Sequence, residues 1–137
     1  VDLIIINDGE VRMRAEDDNL IRASRQLIAM VGCQTLIIKK GENGVLAFHG
    51  DDMIALPAYP TENVVDPTGC GDSFAGTIAA CLAANNGPIS KSELRDALIR
   101  ATVTASFTLE SFGTSGLIGL TVEKFKLRLA QFEEILS

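Results

Sequence analysis

The sequence predicts an α/β domain in which helices flank a mostly parallel β-sheet. Two short apolar runs, at residues 3–6 and 35–38, are rich in β-branched side chains and predict strands that are buried on both faces. Segments with apolar residues at steps of three and four alternate with these runs and predict amphipathic helices. With 137 residues, of which 47% are hydrophobic, the chain is predicted to form one domain with a substantial core.

The composition argues against several classes of protein. The net charge of −6 and the pI near 4.7 argue against a nucleic-acid surface. No apolar run approaches the ~20 residues of a membrane span. Three cysteines without a C-x-x-C pair, and a start without a basic segment, predict reduced thiols in a cytoplasmic protein. The single histidine, His49, has no nearby His or Cys that could complete a zinc site.

The first strand leads into a polar turn. The string N-D-G-E at residues 7–10 predicts the start of a short helix, with one of its first two residues as the cap and the glutamate in the first turn. A second helix is predicted from the apolar residues between positions 20 and 31, with acidic residues before it and Gly32 at its end.

A hairpin is predicted after the second strand. The string K-K-G-E-N-G at residues 39–44 separates the apolar runs at 35–38 and 45–48, and Asn-Gly between two such runs is a strong hairpin signal. Two lysines beside a glycine-rich turn would also attract phosphate, so a nucleotide-binding role stays open beside the hairpin. A further strand is predicted at residues 53–57, where the proline indicates a sheet edge or a strand end.

The stretch V-V-D-P-T-G-C-G-D-S-F-A-G at residues 64–76 joins a β-branched run to a glycine-rich turn and a helix. Gly69 and Gly71 allow turn angles and a close backbone approach that side chains would prevent. A helix N-terminus favours anions such as phosphate, and Asp72 beside it suits a base that deprotonates a nucleophile attacking a phosphoryl group. The structural alternative is a strand-to-helix turn with Asp72 as the N-terminal cap.

Three helices are predicted in the second half of the chain. One runs from Asp72 to about Asn85, a long one opens with the capping box S-K-S-E at residues 90–93, and a last one is capped by Thr121. A loop of small residues at 111–116 separates the last two helices.

The string D-P-T-G-C-G-D at residues 66–72 resembles the D-T-x-G-A-G-D signature of the ribokinase, or PfkB, family of carbohydrate kinases. The resemblance implies that Asp72 is the catalytic base and that the backbone amides of Gly69, Cys70 and Gly71 form the anion hole for the transferred phosphate. Pro67 stands where Thr is usual, and Cys70 stands where Ala is usual. Cysteine is small and contributes through its N–H, so the anion hole is expected to be preserved.

Two motifs in the first half also resemble parts of this family. Asn7 and Glu10 match an N-x-x-E motif that helps to organise magnesium and phosphate, with Glu10 expected to act indirectly, through water bound to the ion. The segment at residues 39–44 resembles the T-x-G-x-x-G nucleotide loop. This likeness implies that residues of the segment lie near the nucleotide, namely Lys39, Gly41, Glu42 and Gly44.

The resemblance further implies a monovalent cation site. In many family members the loop that corresponds to residues 111–116 surrounds such a cation, together with the first Asp and the Thr of the signature. On that analogy Asp66, Thr68 and Gly113 are expected to hold K⁺.

As a whole, the resemblance implies a three-layer ribokinase-like fold and ATP-dependent, Mg²⁺-assisted phosphorylation of a hydroxyl on a sugar or nucleoside. Because family members are longer, residues 1–137 are expected to be the C-terminal nucleotide-binding and catalytic part, without the N-terminal half and the lid. A homodimer is one expectation for the assembly, and nucleic acids and membranes are not expected as partners. The alternative function is a catalytically silent α/β nucleotide-binding or regulatory module.

Two other nucleotide-binding classes fail on the residues. In a dinucleotide-binding fingerprint that starts at Gly69 the third glycine position would be Phe74, and Glu93 begins a helix rather than ending a strand. The chain also contains no G-x-x-x-x-G-K-[ST] string, so a P-loop nucleotide triphosphatase is excluded.

Overall fold

The structure, a computed structural model, describes residues 2–62, 69–84, 87–110 and 120–137. The chain forms two compact units, Val1–Ala58 and Tyr59–Ser137, which we call the first and the second unit. That the two units belong to a single domain stays a prediction. No helix in the described ranges is both long enough and apolar enough to cross a membrane.

The first unit contains a four-stranded sheet in the order β1-β2-β3-β4. The strand β1 pairs with β2 in parallel, whereas β2 with β3 and β3 with β4 are antiparallel. Within the described residues the sheet is therefore mixed rather than mostly parallel, because short turns join its last three strands. The strands are Leu3–Asn7 (β1), Thr35–Lys39 (β2), Val45–His49 (β3) and Asp52–Leu56 (β4).

Two helices, Asp8–Ala15 (α1) and Leu20–Val31 (α2), form the crossover between β1 and β2. A crossover of this length is what permits two consecutive strands to pair in parallel. The helices contribute buried apolar side chains that pack in one cluster with those of the sheet. The members of this core are Ile6, Val11, Ala23, Leu27, Cys33, Leu36, Ile38, Leu46 and Phe48.

The burial of β1 differs from the prediction. We predicted a strand buried on both faces, but Leu3, Ile4 and Ile5 are only half-buried and Ile6 is the buried residue of the strand. In the described sheet β1 is an edge strand, so fewer neighbours cover it than cover β2. The strand β2 is buried from Thr35 to Ile38, as predicted.

The second unit contains three described helices, Cys70–Ala83 (α3), Lys91–Leu109 (α4) and Val122–Leu136 (α5). The helix α3 packs along α4, which also contacts α5. The predicted capping box is confirmed, because the Ser90 hydroxyl accepts a hydrogen bond from the Glu93 N–H at 3.1 Å and the Glu93 carboxylate accepts one from the Ser90 N–H at 3.3 Å. The predicted cap at Thr121 is confirmed as well, at 3.2 Å from the Lys124 N–H.

A cluster around Arg128 joins α5 to the end of α4. The Arg128 guanidinium pairs with the Glu110 carboxylate at 2.9 Å and lies over the Phe107 ring, 3.9 Å from its centroid. Glu110 in turn accepts a hydrogen bond from the Thr61 hydroxyl at 2.6 Å. The cluster therefore ties two helices and the segment around residue 61 together, and the sequence reasoning did not foresee it.

Candidate active site

The start of α3 is built on a glycine. Gly69 occupies the N-cap position with φ +86°, and its carbonyl accepts the first hydrogen bond of the helix from the Ser73 N–H at 2.9 Å. In an α-helix the N–H groups ahead of that first bond have no carbonyl partner within the helix. The amides of Gly71 and Asp72 lie in this position, so they are suited to bind an anion.

This helix start differs from the other four that the structure describes. No side chain caps α3 at Gly69, and Asp72 lies at the third helical position. The alternative reading of Asp72 as the N-cap is therefore wrong, as is the predicted helix start at Asp72, because the helix begins two residues earlier. Side-chain oxygens cap the other four described α-helices, from Asn7, Asn19, Ser90 and Thr121.

The Asp72 side chain is exposed. Among the described residues, none forms a hydrogen bond or an ion pair with its carboxylate. The acidic residues near the start of α1 and α2 behave differently, because Asp8 pairs with Arg12 at 3.1 Å and Asp17 binds Arg22 at 2.9 Å. An exposed carboxylate without a protein partner is able to accept a proton from a bound hydroxyl.

The two residues before Gly71 are held against α4. The Cys70 thiol donates a hydrogen bond to the Ala105 carbonyl at 3.6 Å, so the cysteine that replaces the usual alanine of the signature is accommodated beside that helix. A Cβ on Gly69 would lie 3.6 Å from the Thr108 methyl, which is an ordinary contact. The positive φ of Gly69, rather than crowding, therefore explains the glycine.

In the first unit, two residues of the predicted motifs lie side by side. Asn7 and Lys39 are partners in the parallel register of β1 and β2, at the carboxyl ends of both strands. This is the edge at which ligands bind in open α/β sheets. Asp66, which follows the β-branched run at residues 64–65, lies outside the described residues.

The N-x-x-E motif has a structural role in α1. The Asn7 side chain accepts a hydrogen bond from the Glu10 N–H at 2.8 Å, and the Glu10 carboxylate pairs with Arg14 at 2.8 Å. The predicted helix cap is therefore confirmed, and a role of either residue toward magnesium stays a prediction. In the described ranges no group of three or more His, Cys, Asp or Glu side chains could hold a metal ion.

The segment at residues 39–44 forms the predicted hairpin. A single 3-10 turn, Gly41–Asn43, joins β2 to β3, and the Lys40 N–H donates to the Gly44 carbonyl at 2.8 Å. A Cβ on Gly44 would lie 2.1 Å from the Leu56 carbonyl oxygen, so the fold itself requires glycine there. Gly41 has φ +58° and open space around it.

The other residues of this segment are accessible. Lys39 and Lys40 are half-buried, whereas Glu42 is exposed. Their proximity to a nucleotide stays a prediction. The residues expected around K⁺, namely Asp66, Thr68 and Gly113, lie outside the described residues.

Sequence reasoning missed a chain of hydroxyl groups behind the start of α3. The Thr108 hydroxyl donates to the Ser73 hydroxyl at 3.2 Å, and the Ser73 hydroxyl donates to the Cys70 carbonyl at 3.0 Å. One feature of the sequence could have indicated that Thr108 is buried. Thr108 continues the apolar stripe of α4 that includes Ala101 and Ala105, and it is fully buried.

Comparison with known proteins shows partial likeness to larger kinases. The cytidine kinase of Thermococcus kodakarensis is 38% identical over 82 residues, which are 58% of this chain and 29% of that protein. The chain thus spans less than a third of this curated relative.

Solved structures share the fold. The aminoimidazole riboside kinase of Salmonella enterica, complexed with aminoimidazole riboside and an ATP analog, superimposes with a TM-score of 0.80 at 24% identity, over 94% of this chain and 42% of that one. A fructokinase double mutant from Vibrio cholerae, bound to fructose, ADP and a potassium ion, has a TM-score of 0.76 at 16% identity, over 96% of this chain and 40% of that one. These likenesses establish the ribokinase-like α/β fold.

The family itself follows from a match that covers most of the sequence. The family described as pfkB family carbohydrate kinase matches residues 1–118 of this chain. The matched part includes both motifs of the first unit and the complete start of α3. The chain therefore belongs to the pfkB family of carbohydrate kinases.

Proposed function

We propose that the protein transfers the γ-phosphoryl group of ATP to a hydroxyl of a sugar or sugar-like substrate, such as a nucleoside, with Asp72 as the catalytic base. One observation carries the proposal. The Asp72 carboxylate is exposed and has no partner among the described residues, although it lies in the first turn of a helix whose start has no side-chain cap. Family membership supplies the class of reaction.

In the proposed step, the substrate hydroxyl donates its proton to the Asp72 carboxylate while its oxygen attacks the γ-phosphorus. A new O–P bond forms, the bond from the γ-phosphorus to the β–γ bridging oxygen breaks, and that electron pair leaves with ADP. The amides of Gly69, Cys70 and Gly71 and the positive end of the α3 dipole neutralise charge on the transferred group. This stabilisation is strongest while the charge is moving between the two oxygens.

The first unit is proposed to bind the nucleotide. Lys39 contributes a positive charge toward the phosphates, and the turn at residues 41–44 contributes backbone groups. Magnesium, when bound, neutralises phosphate charge. Magnesium keeps most of its waters, so Glu10 would act through one of them, and Asn7 would help to orient the phosphates.

Two further features are part of the proposal. We also propose that Asp66, Thr68 and Gly113 hold a potassium ion, as the family resemblance implies; a fructokinase of similar fold was solved with a potassium ion bound. A cytoplasmic location is also proposed, and it is supported by three cysteines that form no disulfide bond.

The experiment that tests this function uses the complete gene product that carries this chain. Binding of a non-hydrolysable ATP analogue is measured by calorimetry with and without Mg²⁺, and ADP release is then followed across a panel of sugars and nucleosides. We expect Mg²⁺-dependent binding and acceptor-dependent ADP release. Binding without turnover on any acceptor would favour the silent nucleotide-binding module, and no binding by the folded protein would contradict both functions.

A further inference from the structure

The start of α3 rests on the last turns of α4. Thr108 is 0% exposed, and its hydroxyl donates to the Ser73 hydroxyl at 3.2 Å. Ser73 passes the interaction on, since its hydroxyl donates to the Cys70 carbonyl at 3.0 Å. Both donors point the same way along this chain of hydrogen bonds, so it ends on a backbone carbonyl of the first helical turn.

The carbonyl that receives this chain belongs to a functional peptide unit. The Cys70 carbonyl and the Gly71 N–H are the two polar groups of one planar trans peptide, and they point to opposite sides of it. A hydrogen bond to the carbonyl therefore fixes the direction of the N–H and also polarises it, which makes it a stronger donor. The Cys70 carbonyl is also part of the first turn of α3, so the bond from Ser73 adds to the hydrogen bonding of the helix itself.

We propose that Thr108 is a positioning residue for the anion hole, acting through Ser73 to hold the Gly71 N–H toward the transferred phosphoryl group. The inference rests on the proposed function of this turn. Two further contacts of α4 support the inference. The Ala105 carbonyl accepts a hydrogen bond from the Cys70 thiol, and the Thr108 methyl lies close to Gly69. The last turns of α4 thus contact residues that are proposed to form the anion hole.

The test compares two substitutions of Thr108 in the complete gene product. Thr108→Val keeps the methyl group beside Gly69 but removes the hydroxyl, whereas Thr108→Ser keeps the hydroxyl and removes the methyl. We expect kcat to fall about tenfold in Thr108→Val, with the ATP KM within about twofold of wild type, because one donor of the anion hole is weakened rather than lost. Thr108→Ser is expected to keep kcat within about threefold.

A matched control and a stability measurement separate positioning from packing. Thr104→Val makes the same chemical change one turn earlier on α4, where the hydroxyl donates to the Arg100 carbonyl of its own helix at 2.9 Å, and it is expected to leave kcat unchanged. Thr108→Ser leaves a small cavity, so its melting temperature should lie below that of Thr108→Val. A wild-type kcat in Thr108→Val, or a kcat that follows the melting temperature across the variants, would overturn the inference.

A spectroscopic measurement keeps the inference apart from the proposed function. The amide proton of Gly71, followed by ¹H–¹⁵N NMR, is expected to shift upfield in Thr108→Val and to stay near its wild-type position in Thr108→Ser. An unchanged Gly71 resonance in Thr108→Val contradicts the inference even if the enzyme is active. A wild-type protein that phosphorylates no acceptor contradicts the proposed function, whatever the resonance does.

Discussion

The two units use their polar and glycine residues differently. In the first unit, the fold alone accounts for the features that stand out: Asn7 caps α1, Asp17 binds Arg22, and Gly44 packs against the Leu56 carbonyl. At the start of α3 in the second unit, the fold explains Gly69 but gives the Asp72 carboxylate no described partner. A motif residue without a structural role in the fold is a stronger candidate for a catalytic role than one that has such a role.

The largest effect on stability is expected at Gly44. In Gly44→Ala the new Cβ would lie 2.1 Å from the Leu56 carbonyl oxygen, and the backbone cannot yield without breaking the hairpin. We expect the free energy of unfolding to fall by ~3 kcal/mol or more, measured by urea denaturation. The control is Gly41→Ala, where φ is +58° and the space is open, with an expected loss of ~1 kcal/mol. Equal losses in the two variants would contradict the structural role of Gly44.

A second substitution tests the glycine at the start of α3. Gly69→Ala meets only ordinary contacts but must adopt φ +86°, so stability should fall by ~1–2 kcal/mol. The activity should fall further, with kcat down at least ~10-fold, because strain at the N-cap displaces the amides of the anion hole. Gly32→Ala, at φ +74° in open space at the end of α2, should lose similar stability but keep kcat. An equal loss of kcat in both variants would contradict a specific role of Gly69 in catalysis.

A smaller effect is expected on nucleotide affinity. Lys39→Met removes a charge beside Asn7 at the carboxyl end of the sheet, and the ATP KM should rise about tenfold, the equivalent of one charged hydrogen bond of ~1.4 kcal/mol. Lys40→Met is the neighbouring control, with a change of less than about threefold. If both variants keep the wild-type KM, the segment serves only as a hairpin.

The smallest effect is expected at Asp17, whose carboxylate accepts hydrogen bonds from Arg22 at 2.9 Å and the Asn19 N–H at 2.9 Å. The bond from Arg22, followed by that from Asn19, lowers the pKa of Asp17 below 3.8 in the folded state. The stabilisation is therefore present above the unfolded pKa and is lost as the pH falls through the lower folded pKa.

The measurement is the denaturation midpoint of wild type and Asp17→Asn at several pH values. The variant should be slightly less stable at pH 7, and the difference should shrink as the pH falls through the lowered folded pKa and vanish once Asp17 is protonated in both states. The difference stays small because the Arg22 side chain is 66% exposed and water screens the pair. Asp18→Asn is the matched control, and a difference that grows toward low pH would contradict the assignment.

Most of the fold could be predicted because its signals are local. The cap at Asn7, the αL glycine at Gly32, the Asn-Gly hairpin and the capping box at Ser90 each depend on residues within four positions of one another. The position of Asp72 in the first turn also followed from the nearby glycines, although the helix begins two residues earlier than predicted. It does so because Gly69, not Asp72, takes the cap conformation.

The features that sequence reasoning missed depend on distant contacts. Thr108 meets Ser73 across 35 positions, and Arg128 meets Ser106 across 22, and no periodicity in the sequence pairs such residues. The partial exposure of β1 was missed for a related reason. An apolar run predicts a strand, but its burial depends on which other strands stand beside it.

The most direct test of the central claim is the turnover of Asp72→Asn in the complete gene product, on the best acceptor from the panel. Asparagine keeps the size of the side chain but cannot take the proton, so kcat is expected to fall ~10²-fold or more while the affinity for the ATP analogue changes little. Asp96→Asn, at an exposed position on α4, makes the same change away from the turn and should keep full activity. Wild-type kcat in Asp72→Asn would contradict the role of Asp72 as the catalytic base.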